Sequence, residues 1–288
     1  MLHSLDHLIV GVRDLEAATA AYTTLLGRDP SWRGAHPGMG TANALFRLSN
    51  TYLELLAPVS DGPTAAMLRA RLDSEGEGLI GLAFGTDDAE ACARELRSRG
   101  LSASEPNPGR GRDERSSAER AWKNVLLPAG DTRGPLVFAI EHLSAPDALP
   151  LVAPHVARAS AVAALDHVVV QTADVEATRS FYGEKLGLRL ALDRTFENRG
   201  LRLLFFRVGG VTVEIASRLD APPDREARDR LFGLAWQVPD AEAARARLVA
   251  AGLTASALRS GHKPGTRVFT LESGTHGVAT LVIEPSSA

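Results

Sequence analysis

A long internal repeat dominates this amino-acid sequence. Residues 5–27 (LDHLIVGVRDLEAATAAYTTLLG) recur as residues 165–187 (LDHVVVQTADVEATRSFYGEKLG), in register and without a gap. A constant offset of 160 positions joins the two copies, so that His7 corresponds to His167. Self-similarity over this length predicts that one structural unit is built twice, and it decides the architecture before any local pattern is considered.

A second pair of segments repeats at another offset. Residues 81–104 (GLAFGTDDAEACARELRSRGLSAS) match residues 233–256 (GLAWQVPDAEAARARLVAAGLTAS), 152 positions later. Each of the four segments begins with a short β-rich run, continues as an Ala-rich amphipathic helix closed by glycine, and is followed by alternating strands. We therefore expect an α+β fold made by tandem duplication of paired βαβββ modules: four modules forming two cupped mixed sheets with flanking helices.

The domain limits follow from the repeat and from composition. Residues 144–162 are rich in Pro and Ala and show neither periodicity, which predicts a linker between domains at 1–143 and 163–288. Residues 105–134 are longer than their counterpart in the second half and carry several arginines, so they are predicted to form an extra basic loop in the first domain.

Composition excludes several classes of partner. The formal net charge of the 288 residues is -3, which gives no reason to expect nucleic acid or an anionic membrane. No window is apolar enough for a membrane helix, no basic leader with an apolar core is evident, and the single cysteine fits a reducing compartment. The expectation is a cytoplasmic monomer or homodimer that acts on a small molecule.

A histidine recurs inside an apolar strand in both halves. A lone histidine there is most often a hydrogen-bonded core residue. Here, however, each is followed 47 positions later by a glutamate in another apolar strand, Glu54 after His7 and Glu214 after His167. A further acid ends the last strand of each half. One imidazole and two carboxylates, twice over, predict a site facing a common cavity.

These motifs (LDHxxxxxxDLEAAxxxY…LLG, then YLELLAP) resemble the vicinal oxygen chelate superfamily of glyoxalases, bleomycin and fosfomycin resistance proteins and type I extradiol dioxygenases. Residues 36–58 further resemble its glyoxalase-like domain subgroup. The resemblance implies cupped sheets that hold a divalent metal (Mn, Fe, Co, Ni or Zn) through first-strand His and last-strand Glu side chains. The implied ligands are His7, Glu54 and Glu141 in the first half and His167, Glu214 and Glu284 in the second.

The chain departs from this family where modules two and four should supply their own first-strand ligand. Gly81 and Gly233 stand there, and glycine has no side chain to coordinate a metal. A His with two carboxylates still suits a divalent ion, with weaker affinity than four ligands. The loss of the second histidine counts against ring-cleaving dioxygenase chemistry, which uses two His and one Glu in the resembling family.

Several residues of the first half are candidates for substrate binding. Arg110, Arg112 and Lys123 suit an anionic group, although a solvated charged loop explains them equally well. His36 and Asn43 flank two glycines whose amides can approach a ligand, or they belong to an ordinary turn. Trp122 is placed to stack on a planar substrate, or to pack in the core.

The sequence thus supports two hypotheses. In the first, a metal acts as Lewis acid on a small oxygenated, anionic substrate and Glu54 or Glu141 acts as the base, in lyase or isomerase chemistry of the glyoxalase kind. The basic segment favours the first half as the active one. In the second, the cups bind or sequester a ligand without metal, in the way of the resistance proteins.

Overall fold

The structure is a computed structural model that describes residues 1–286. It contains two eight-stranded mixed sheets, one in each half of the chain. The predicted α+β duplication of paired βαβββ modules is confirmed. Residues 287 and 288, at the end of the predicted second domain, lie outside the described part of the chain. None of the helices in the described part is long and apolar enough to cross a membrane.

The first sheet has the strand order β2-β3-β4-β1-β5-β8-β7-β6. Its strands are Ser4–Gly11 (β1), Trp32–His36 (β2), Thr41–Arg47 (β3), Tyr52–Pro58 (β4), Gly78–Gly85 (β5), Asn107–Arg112 (β6), Glu119–Leu126 (β7) and Leu136–His142 (β8). Its helices are Leu15–Leu26 (α1), Pro63–Glu75 (α2) and Ala89–Ser98 (α3). The predicted loop over residues 105–134 is wrong in part, because residues 107–112 and 119–126 within it form β6 and β7, which pair as a hairpin.

The second sheet repeats this order as β10-β11-β12-β9-β13-β16-β15-β14. Its strands are Ala164–Thr172 (β9), Arg189–Phe196 (β10), Leu201–Val208 (β11), Val211–Arg218 (β12), Arg230–Gln237 (β13), Arg259–Ser260 (β14), Arg267–Leu271 (β15) and Ala279–Glu284 (β16). Its helices are Val175–Arg179 (α4) and Ala241–Ala250 (α5). A π-helical segment, Ser180–Lys185, continues α4.

An aspartate begins the main helix of every module. Asp14 accepts a hydrogen bond from Ala17 N at 3.0 Å, and Asp88 accepts one from Ala91 N at 2.8 Å. Asp174 and Asp240 do the same at α4 and α5. Each carboxylate satisfies an amide that the first helical turn leaves free, so the four caps set where the helices start on the sheets.

The two halves share one hydrophobic core. It joins the helix-covered faces of both sheets, with Leu8 and Phe84 from the first half and Val168 and Trp236 from the second. Asn50 also binds the backbone of Leu165 in both directions, at 2.8 and 3.0 Å. The opposite, concave face of each sheet is the cup that the sequence predicted.

The first cup is more enclosed than the second. The edges of its sheet are bridged where Arg33 N donates to Asp113 at 2.8 Å and Glu114 N donates to the Arg33 carbonyl at 2.9 Å. Helix α2 covers another side with Leu68 and Leu72. The second sheet has no helix at the position of α2, its outer strand β14 has two residues, and β10 is largely exposed.

Candidate functional site

His7 lies in the middle of the first sheet, on β1, and is 2% exposed. Its Nδ1 is 2.7 Å from Asp6 Oδ1, and its Nε2 is 3.5 Å from Glu54 Oε2. Its ring stacks on Tyr52 with centroids 4.5 Å apart and meets the edge of Phe138 at 5.5 Å. The ring is therefore fixed in orientation, with Nε2 directed at the Glu54 carboxylate.

Asp6 determines which nitrogen of His7 holds a proton. Its second oxygen is 2.9 Å from His142 Nε2, so one buried carboxylate joins two imidazoles. Burial opposes ionisation of Asp6, but the hydrogen bonds and charges of His142 and His7 outweigh it and hold the pKa of Asp6 well below its usual range. An ionised Asp6 can only accept hydrogen bonds, so Nδ1 of His7 donates one to it. Nε2 is then the ring nitrogen that faces Glu54.

Glu54 lies on β4, opposite Ile9 of the neighbouring strand. Asn43 Nδ2 donates to its Oε1 at 2.7 Å, while Oε2 faces His7. The Oδ1 atom of Asn43 is buried and has no hydrogen-bond partner. The structure thus brings together three of the residues that the sequence singled out, His7, Glu54 and Asn43.

Glu141 and Glu284 do not join the cups, contrary to the metal site implied by the family resemblance. Glu141 accepts from Ala89 N at 3.0 Å, at the start of α3. Glu284 accepts from Ala241 N at 2.8 Å, at the start of α5. Both carboxylates satisfy a free amide at a helix N-terminus, where a negative charge is stabilised. The same contact therefore occurs in both halves of the chain, on the face of each sheet that the helices cover.

The register across the sheets identifies the residues that do stand in the ligand positions. Within the first sheet Ile9 pairs with Glu54, and the equivalent pair of the second module is Ala83 with Phe138. In the second sheet Val169 pairs with Glu214, and its equivalent is Ala235 with Leu281. Phe138 and Leu281 therefore occupy the places of the second carboxylates, beside Gly81 and Gly233 at the places of the second histidines.

The remaining predicted substrate residues separate into two groups. Trp122 is half-buried and packs into the cup with the residues around Ile9. His36 lies at the end of β2 with its Nδ1 3.1 Å from Thr41 Oγ1. Arg110 and Arg112 are exposed on β6, and Lys123 lies 2.8 Å from Glu90 on the helix side. Lys123 is thus paired on the face opposite to Trp122, because side chains alternate along β7.

Sequence reasoning missed Arg120 as a cup residue. This side chain is 7% exposed, and its guanidinium lies 5.4 Å from the ring centroids of Trp32 and Tyr52 and 5.9 Å from that of Trp122. Strand alternation was the available signal, because Arg120 and Trp122 are two positions apart on one strand and so share a face. The expectation of a loop over residues 105–134 concealed it.

The second cup keeps the histidine and the glutamate but not their surroundings. His167 Nδ1 is 2.8 Å from Asp166, and its Nε2 is 4.0 Å from Glu214. Burial raises the pKa of Glu214. At the same offset of 160, the positions of Trp32, Asn43 and Tyr52 hold Leu192, Leu203 and Thr212, in that order. The second cup therefore keeps an aspartate beside its histidine but has no counterpart of Trp32, Asn43 or Tyr52.

Comparisons with known proteins agree with this architecture. Residues 5–164 match the family model described as glyoxalase-like domain, and residues 164–279 match that of the glyoxalase/bleomycin resistance protein/dioxygenase superfamily. The chain is similar to the ethylmalonyl-CoA/methylmalonyl-CoA epimerase of Cereibacter sphaeroides, with 31% identity over 113 residues, 38% of this chain and 82% of the relative. The mitochondrial methylmalonyl-CoA epimerase of Homo sapiens is 30% identical over 99 residues, 34% of this chain and 54% of the relative.

Solved structures resemble the whole chain. A mutant of 4-hydroxymandelate synthase from Streptomyces coelicolor superposes with a TM-score of 0.72 at 16% identity, covering 100% of this chain and 94% of the other. The halotolerant catechol dioxygenase BphC superposes with a TM-score of 0.63 at 12% identity, covering 99% and 87%. At these identities the likeness shows a common fold.

Proposed function

Because the chain belongs to the glyoxalase-like domain family, we propose that its first cup is the active site of an isomerase- or lyase-type enzyme that moves a proton on a small oxygenated substrate. His7 and Glu54 are the acid–base pair. The proposal rests on the contact between His7 Nε2 and Glu54 Oε2 at 3.5 Å. Asp6 contacts the other ring nitrogen of His7, and Asn43 donates to the other carboxylate oxygen of Glu54.

The donor set of the cup does not fit a resident divalent ion of the kind that the family resemblance implies. Each cup supplies one imidazole and one carboxylate, while Phe138 and Leu281 fill the places of the second carboxylates. Among residues 1–286, no group of three or more His, Cys, Asp or Glu side chains is arranged to hold a metal. The proposed chemistry therefore uses the side chains of the chain itself, and no step runs through a metal.

The arrangement suits removal of a proton from a carbon beside a carbonyl group. Asn43 occupies Oε1 of Glu54, so Oε2 is the oxygen that accepts the proton from carbon. The electron pair of the broken C–H bond moves toward the carbonyl oxygen of the substrate. His7 exchanges protons through Nε2 alone, because Asp6 holds the proton on Nδ1, and it donates to that oxygen or to the neighbouring carbon.

Enclosure supports this assignment to the first cup. A buried, water-poor site strengthens the electrostatic interactions on which acid–base catalysis depends. The first cup is covered by α2 and by the segment that bridges β2 and β6, and both His7 and Tyr52 are almost fully buried. The two similar proteins named as epimerases support an isomerase-type reaction for this chain as well.

The test is exchange of substrate C–H hydrogen with deuterium oxide. The purified protein is incubated with a panel of small 2-oxo and 2-hydroxy acids, and exchange is followed by NMR at C3 of the 2-oxo acids and at the carbinol carbon, C2, of the 2-hydroxy acids. Glu54→Gln and His7→Gln are expected to lower the exchange rate by about 100-fold or more. The matched changes in the second cup, Glu214→Gln and His167→Gln, should leave it unchanged. Exchange that survives Glu54→Gln, or that Glu214→Gln abolishes, contradicts the proposal.

Binding without turnover is the second candidate function. It is favoured by the aromatic lining of the first cup, where Trp32, Tyr52 and Trp122 surround one cation. A sequestering protein would hold a ligand tightly and show no exchange with any member of the panel. The two functions are therefore distinguished by one pair of measurements, ligand affinity and deuterium exchange on the same samples.

A further inference from the structure

The interior of the first cup contains a cation without a protein anion. Arg120 lies on β7 and is 7% exposed, and in residues 1–286 it forms no ion pair with a carboxylate. An arginine stays protonated at any ordinary pH and offers five N–H donors. Burying such a charge without an anion is costly, so its place in the cup calls for one.

The guanidinium nitrogens of Arg120 are not sealed inside the protein. The fully buried polar side-chain atoms that lack a partner, in the described part of the chain, are Arg28 Nε, Asn43 Oδ1, Arg71 Nε, Asn124 Oδ1 and Trp236 Nε1. No nitrogen of Arg120 is among them, and in the described residues its side chain donates to no carboxylate; its hydrogen-bond neighbour is the Tyr52 hydroxyl. The remaining donors therefore face space that water or a small ligand can enter.

Three aromatic rings form a box around this cation. Trp32, Tyr52 and Trp122 come from β2, β4 and β7, and each ring centroid is within 6 Å of the guanidinium carbon, at 5.4, 5.4 and 5.9 Å. Gly111 on β6 makes room for two of these rings, because a Cβ there would lie 3.2 Å from the Trp32 ring and 3.3 Å from the Trp122 ring. Aromatic faces hold the guanidinium by cation–π attraction and leave its N–H edge free.

Besides Arg120, the box contains two further hydrogen-bond donors and one acceptor that has no partner, Asn43 Oδ1. Neither indole N–H, of Trp32 or of Trp122, has a hydrogen-bond partner in the described residues. A Cβ on Gly34 would lie 2.7 Å from Trp32 Nε1 and 3.3 Å from Asn43 Oδ1, so both atoms pack closely over Gly34, where a larger residue would not fit. Because hydrogen-bond donors outnumber acceptors in the box, it favours a ligand with several acceptors and one hydroxyl or amino group that can donate to Asn43 Oδ1.

The box adjoins the proposed reactive pair. Tyr52 stacks on His7 at 4.5 Å and also lies beneath Arg120, so a single ring separates the cation from the imidazole. Tyr52 thus contacts both, and an acid held by Arg120 lies in the same cup as His7 and Glu54. The second cup has no counterpart of the box, since Leu192 and Thr212 replace Trp32 and Tyr52.

We propose that Arg120 is the specificity-determining residue of the first cup and binds the carboxylate of a small carboxylic acid between Trp32, Tyr52 and Trp122. A guanidinium fork matches a carboxylate through two parallel hydrogen bonds, which an ammonium cannot reproduce. The inference rests on the proposed function only in naming this acid as the substrate of His7 and Glu54. Recognition of the acid itself stands on the geometry of the box.

Benzoate titration of the full-length protein tests this assignment. Trp32 and Trp122 lie in the box and Trp236 is buried in the second half, so binding is followed by tryptophan fluorescence and by the rise in Tm. We expect saturable binding with one site per chain, and binding of the neutral isostere benzamide at least about tenfold weaker, because it lacks the charge that the guanidinium recognises. Absence of saturable benzoate binding to the wild-type protein overturns the proposal.

Variants assign the binding to the guanidinium. Arg120→Gln removes the charge and should weaken benzoate binding by about tenfold or more, whereas Arg110→Gln, on the exposed strand beside it, should not. If Arg120→Gln does not fold, Arg120→Lys keeps a cation in the box and loses the fork, so its affinity should fall while its Tm without benzoate stays close to that of the wild type. Wild-type affinity in a folded Arg120 variant overturns the proposal.

One further variant distinguishes failure of this inference from failure of the proposed function. Glu54→Gln should bind benzoate as well as the wild type, because it leaves the box intact, and should lose deuterium exchange. If exchange persists in Glu54→Gln while Arg120→Gln loses benzoate, the proposed reaction fails and the acid site stands. If exchange is lost while Arg120→Gln still binds benzoate, the acid site fails and the reaction stands.

Discussion

Glu54 and Phe138 occupy equivalent places in the two modules of the first sheet. Glu54 pairs with Ile9 across the parallel strands β1 and β4, and Phe138 pairs with Ala83 across the parallel strands β5 and β8. One module thus keeps a carboxylate in the cup where the other has an aromatic ring against His7. Of the four positions where the family resemblance implies metal ligands, the first cup therefore keeps one imidazole and one carboxylate.

Restoring one carboxylate should create a metal site in the open second cup. Leu281→Glu places a third donor beside His167 and Glu214 on the strand that faces them, where the native side chain is only partly buried. We expect Ni²⁺ or Mn²⁺ binding that is more than about tenfold tighter than in the wild type, since each ligand and its support contribute at least that much to affinity. Calorimetric titration measures it, and Leu281→Glu with His167→Ala should bind no better than the wild type.

Asp6→Asn should impair proton exchange without unfolding the protein. The amide can donate as well as accept, so it no longer fixes the proton of His7 on Nδ1, and the exchange rate is expected to fall by roughly 100-fold. The readout is the deuterium exchange assay, with circular dichroism to verify folding. Asp166→Asn makes the same change at His167 and should leave the rate unaltered. An equal loss in both variants would show that the second cup takes part.

We expect Asp113 to keep the contact between Arg33 and the segment after β6, which closes the first cup, intact in mild acid. It accepts from Arg33 N at 2.8 Å and from Ser116 N and Oγ at 2.7 and 2.6 Å. Burial opposes its ionisation, but these hydrogen bonds hold the pKa of Asp113 below its ordinary value. A lowered folded-state pKa means that the stabilisation is present above the unfolded value of about 3.9 and is lost as the pH falls through the folded one.

Hydrogen exchange at the Arg33 amide measures this closure. In the wild type we expect protection of that amide to persist from neutral pH to about pH 4, after correction for intrinsic exchange, and to fall only in stronger acid. Asp113→Asn should lose protection already at neutral pH, because the amide is a weaker acceptor than the carboxylate. Asp147→Asn is a control on an exposed aspartate. Protection that declines from pH 6 onward would contradict the role of Asp113.

Glu141→Ala and Glu284→Ala should destabilise the fold and leave the chemistry of the cup intact. Each substitution removes an acceptor and a negative charge from a helix N-terminus, which costs roughly 1 kcal/mol of the free energy of unfolding. Urea denaturation measures this cost, and Glu272→Ala, at an exposed glutamate outside the helices, serves as the control with a smaller effect. Deuterium exchange in Glu141→Ala should match the wild type. A loss of exchange in a folded Glu141→Ala protein would restore Glu141 to the site.

Much of the fold can be predicted from the sequence, because the patterns that indicate it are either local or repeated. The offset of 160 positions predicts the duplication, and the aspartates and glycines that bound each helix predict the modules. The pairing of His7 with Glu54 was also predicted, because the same 47-residue spacing occurs in both halves. Whether these side chains move a proton and bind an acid stays a prediction until the experiments above are done.

The number of modules, their order and the strands that carry His7 and Glu54 can be predicted from the amino-acid pattern alone. The face of the sheet on which Glu141 and Glu284 lie becomes known from the folded structure. Glu141 stands three residues beyond the cup position held by Phe138, and an odd step along a strand reverses the side. That reversal depends on the register between β5 and β8, which is set by long-range pairing. The box around Arg120 likewise required strands distant in sequence to meet, and no local pattern encodes such a meeting.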